Sequence, residues 1–141
     1  DYAKFLIDLN QNDNLNTLIN YLSNSNLSLD QINNQSSQEI FQVLIDFLKI
    51  EKDSNNKFQY RNILDARVMP SYFLINDIKK HINNRNDLSV FIMSLISMQN
   101  KNWTELHPEH LNLILEAINL YGNGTLKKQI IIEILKELKF F

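Results

Sequence analysis

Cysteine is absent from these 141 residues. Its absence excludes a disulfide framework, a thiolate zinc site and a cysteine nucleophile. Glycine and proline are almost as scarce, at 2 each. So little turn chemistry argues against a β-rich protein and fits helices joined by short polar links. Basic charge is not in excess either: 14 Lys and Arg stand against 16 Asp and Glu, a net charge of −2, and the pI is about 5.9. A surface that grips phosphates strongly is usually basic, so only the local clusters Lys79-Lys80 with Arg85, and Lys127-Lys128, offer such a grip. No run of 18 apolar residues is present, so no membrane-spanning helix is expected. No Gly-rich phosphate loop, no Ser/His/Asp arrangement and no paired carboxylates in a supportable pocket appear. Neither catalysis nor a cofactor is expected.

What the chain does have is asparagine, 21 of them, and a hydrophobic fraction of 44%, enough for a continuous core. The asparagines cluster between apolar runs, as in Asn10-Gln11-Asn12-Asp13-Asn14 and Asn83-Asn84-Arg85-Asn86. Asn suits loops and caps better than helix interiors. The chain opens on Asp1 and closes on Phe140-Phe141, and an excerpt of a longer protein is expected.

The apolar runs carry helical spacing. Tyr2 to Leu9 predicts a short helix. Leu15, Leu18, Ile19 and Leu22 predict a second, with Asp13 or Asn14 as N-cap. Ser36-Ser37-Gln38-Glu39 has capping-box spacing ahead of Ile40, Phe41, Leu44, Ile45, Phe47 and Leu48. Phe58, Ile63, Leu64 and Val68 mark a further helix, which Pro70 ends. Tyr72 to Ile82 follows, then Asn86 or Asp87 as cap for a helix using Leu88, Phe91, Ile92, Leu95, Ile96 and Met98. Pro108 suits the first turn of a helix carrying Leu111, Ile114, Leu115 and Ile118. Gly122-Asn123-Gly124 stops it, and Thr125 is the expected cap of a last helix to about Leu138. That last helix, with Ile130, Ile131, Ile132, Ile134, Leu135 and Leu138, is apolar on more than one face. A further repeat or a partner chain is therefore expected on 125–140.

A pattern apolar at its first, fourth, fifth, eighth and last of fourteen places begins near Tyr2, Phe41, Ile75 and Leu111, at intervals of 39, 34 and 36 residues. Such a period predicts stacked helix pairs. The expected fold is all-α, a right-handed α-solenoid of about four helix-turn-helix repeats over roughly 1–35, 36–69, 70–105 and 106–141.

The runs Tyr2-Ala3-Lys4-Phe5-Leu6-Ile7, Phe41-Gln42-Val43-Leu44-Ile45, Ile75-Asn76-Asp77-Ile78 and Leu111-Asn112-Leu113-Ile114-Leu115, with Gly122-Asn123-Gly124-Thr125-Leu126 leading into a second helix, resemble degenerate pentatricopeptide repeats. Pro70 falls where that family often has proline ahead of a repeat. The likeness spans nearly the whole chain, as in drifted fungal mitochondrial members, with lengthened loops. Tetratricopeptide and HEAT-like arrays are the alternatives, the former lacking its small-residue pattern here. The resemblance implies single-stranded RNA as partner, held in mitochondria to support mRNA stability or translation. It implies base-reading positions at Ala3, Gln42, Asn76 and Asn112, with second positions at Ser37, Ser71 and His107. Ala3 offers no hydrogen bond, and the two serines discriminate less than Asp or Asn. Lys79 and Lys80 are expected beside them. A plainer reading makes Asn76 and Asn112 ordinary exposed residues of an Asn-rich chain. The functional alternatives are a protein-interaction scaffold, suggested by the acidic pI and the apolar last helix, and an accessory domain of a larger enzyme or ribosomal assembly.

His107, Glu109 and His110 lack the i, i+4 histidine spacing of a helical zinc site, so no metal is expected and a helix start is. His81 is expected to be partly buried. Trp103 stands in an expected loop, either wedged between repeats or free to stack on a base.

Overall fold

The computed structural model describes residues 15–24, 35–49, 67, 69–122 and 124–140. The expected helices at 2–9 and 58–68, Ala3, and the caps at Asp13 or Asn14 lie outside them. Among the described residues the structure is all-helical: α1 Leu15–Asn24, α2 Gln35–Leu48, α3 Tyr72–Asn83, α4 Asp87–Ser97, a 3-10 turn Trp103–Glu105, α5 Pro108–Tyr121 and α6 Gly124–Glu137.

The chain divides into two compact units, one of Asp1–Lys57 with Gly124–Phe141 and one of Phe58–Asn123. The expected repeat 106–141 is thus divided between them. In the first unit the Phe41 and Phe140 rings lie 4.8 Å apart, and the Lys127 ammonium sits 4.9 Å over the Phe47 ring. These contacts join α2 to α6 and its C-terminal exit, reaching across the whole sequence of the other unit. Ile40, Leu44, Ile131, Ile134 and Leu135 are wholly buried, and Ile130 and Leu138 nearly so. Most of the apolar residues of the last helix are therefore covered within the chain.

Two helix starts differ from the expected caps. α2 begins at Gln35, so Ser36 lies inside its first turn rather than capping it, and the Gln35 amide donates along the helix to Glu39 at 3.5 Å. α6 begins at Gly124, which leaves Thr125 as its second residue rather than its cap.

In the second unit, Pro70 keeps the chain out of the helix and Ser71 caps α3, its hydroxyl accepting from the Leu74 amide at 3.4 Å. α3 ends through Arg85 in the left-handed region, φ 53°, with the Asn86 amide donating back to the His81 carbonyl at 3.0 Å. That is the closure a glycine usually serves. A chain with so few glycines uses side-chain-bearing residues instead: Lys49, Gln99, Asn100 and Lys139 also have positive φ. Asn86 is the N-cap residue of α4, without a side-chain cap bond. His107 caps α5, Pro108 opens it, and Gly122, at φ 76°, closes it.

The core of this unit is Ile78, Val90, Leu113 and Ala117, with Leu74, Ile75, Ile82, Met93 and Leu120 packed on it. α3 packs on α4, as the short polar link 84–86 predicts for antiparallel neighbours, and α4 packs on α5 across the longer link that holds the 3-10 turn. Phe91 stacks on Tyr121, with centroids 4.7 Å apart.

Candidate interaction surface

α4 carries apolar residues almost all round, and the structure selects which of them face inward. Val90, Ser94 and Ser97, spaced i, i+4, i+7, are buried. Leu88, Ile92, Leu95 and Ile96, expected as core, are instead 58%, 47%, 40% and 66% exposed. The small serines let α5 approach closely, and the larger aliphatics on the far side are left outside. Tyr72 and Phe73, at the start of α3, are also exposed, at 73% and 82%.

The buried serines are satisfied. The Ser94 hydroxyl donates to the Phe91 carbonyl at 2.7 Å, and the Ser97 hydroxyl donates to the Ser94 carbonyl at 2.5 Å. Ser97 also meets His110 Nε2 at 2.7 Å, and the His110 ring is wholly buried. The Ser97 hydroxyl and the His110 ring thus share one buried hydrogen bond, its direction set by the imidazole tautomer. This polar seam joins α4 to α5. Nothing in the sequence pattern announced it beyond the serine spacing.

The residues implied as RNA-reading fall in different settings. Gln42, on α2, donates to Asp46 at 2.7 Å, and Ser37 is half-buried on the same helix. Asn76, Lys79 and Lys80 are exposed on α3. Ser71 and His107 are both helix caps: His107 is 6% exposed, and its Nδ1 accepts from the Glu109 amide at 3.2 Å. Both cap side chains are thereby committed to their own backbones, and removing such a bond costs about 1 kcal/mol.

Lys79 and Asn112 of this set come together. They line an open cavity of about 390 Å³ between α3 and α5, with Pro108, Glu109, Leu113 and Glu116. The Asn112 amide donates to Glu116 at 3.2 Å. Glu109 and Glu116 are seven positions apart, about 10 Å along the helix. One cation between two carboxylates makes this cavity a poor host for phosphate, since the repulsion outweighs the attraction.

Trp103 is buried in the 3-10 turn and so is not placed to stack on a base. His81 is half-buried. Among the described residues no group of three or more His, Cys, Asp or Glu is placed to hold a metal ion, and no helix is long and apolar enough to cross a membrane.

No protein-family model matches this chain, and no curated protein or solved structure matches it.

Proposed function

We propose that this chain is a helical protein-interaction module that docks a partner on the outer side of α4. The observation that carries the reading is the exposed strip Leu88, Ile92, Leu95 and Ile96. Its i, i+4, i+7, i+8 spacing is the stripe an amphipathic helix uses to meet another apolar face. Contiguous exposed apolar surface on a folded protein is most often a contact site. Helix α4 has one ionisable side chain, Asp87, at its start, so the strip itself presents no charge to be desolvated. Catalysis is no part of this reading.

RNA binding is the second reading, and the convergence of Lys79 and Asn112 in one cavity favours it. It keeps the helical-repeat assignment for 72–121, where successive helices pack in chain order, and brings with it the mitochondrial setting that the family resemblance implies. The acidic flanks Glu109 and Glu116 weigh against it.

The test places a photo-crosslinking residue at Ile92 in one variant and at Asn112 in another, in the protein expressed in its native host. Protein adducts at Ile92, lost when Leu88→Ser and Leu95→Ser are added, are the expected result. Nuclease-sensitive adducts at Asn112 with none at Ile92 would reverse the order of the two readings. In parallel, anisotropy of labelled single-stranded RNA at low and near-physiological salt should show no binding that Lys79→Ala and Asn112→Ala weaken.

A further inference from the structure

No further inference is drawn: the strongest candidate, the exposed apolar strip Leu88, Ile92, Leu95 and Ile96 on the outer side of α4, is the surface already taken for the proposed function, and nothing in the structure shows what covers it.

Discussion

Arg85 shows how a scarcity in composition becomes a local cost. Its φ of 53° is one that a side chain tolerates at about 1 kcal/mol. Arg85→Gly relieves that cost and loses part of the gain to unfolded-state entropy. It should raise the unfolding free energy by about 0.5 kcal/mol, measured by urea denaturation; an unchanged or lower midpoint would show that the arginine side chain makes up the difference. Lys127 is a second informative residue. Burial holds its amine below the usual 10.5, while the Phe47 ring beneath it favours the cation. The unfolded chain therefore binds more protons than the folded one between the lowered pKa and 10.5, and in that alkaline window this group makes stability rise with pH. An NMR titration of the Lys127 side chain should give a midpoint below 10.5. A midpoint at or above the ordinary value would remove burial as the dominant influence.

At the scale of the element, α4 buries the less hydrophobic of its two faces. Its inward face is held by a packing contact, Val90 against the core, and by the Ser97–His110 bond. Ser97→Ala leaves the buried His110 Nε2 without its hydrogen-bond partner, which costs about 1–3 kcal/mol. Adding His110→Leu should return part of that loss, because both polar partners are then gone. A double-mutant cycle read by thermal unfolding checks this, and strictly additive losses would deny the coupling. The outward face is expected to behave oppositely. Ile92→Ser with Leu95→Ser should leave the far-ultraviolet dichroism unchanged, lower the fluorescence of a bound apolar dye, and change stability by less than about 1 kcal/mol per site. A cooperative loss of structure would mean that the strip belongs to the core.

Helix ends were legible in the sequence. Asn86, Pro108 and Gly122 mark helix ends where the structure has them, because backbone geometry at proline, caps and left-handed glycine is decided locally. Ser36 and Thr125 were misread as caps for a related reason: spacing identifies a capable residue, but a helix extends past it when earlier residues also accept helical angles. The inward face of α4 was not legible. Leu88, Ile92, Leu95 and Ile96 outweigh Val90, Ser94 and Ser97 in hydrophobicity, so periodicity alone points the wrong way. Close approach of α5, with Ala117 in the contact, and the buried imidazole of His110 reverse it.

The whole molecule is two units, one of them closed by the end of the chain returning to α2. Removing 124–141 strips Phe140 from Phe41 and Lys127 from Phe47. Hydrogen exchange on such a truncated protein should show lost protection across α1 and α2 and retained protection in α3 to α5, since units of this kind open separately. Equal loss in both would make them a single cooperative body.

The sequence by itself determined the all-helical character, most helix ends between 70 and 122, and the absence of thiol chemistry, because each depends on local backbone preference or on which atoms the chain contains. Only the tertiary structure decided which apolar face is covered and that Asn112 lines a cavity with two carboxylates. Those outcomes follow from the packing of segments far apart in the chain, and a hydrophobic period of one helix holds no information about which neighbour arrives to cover it.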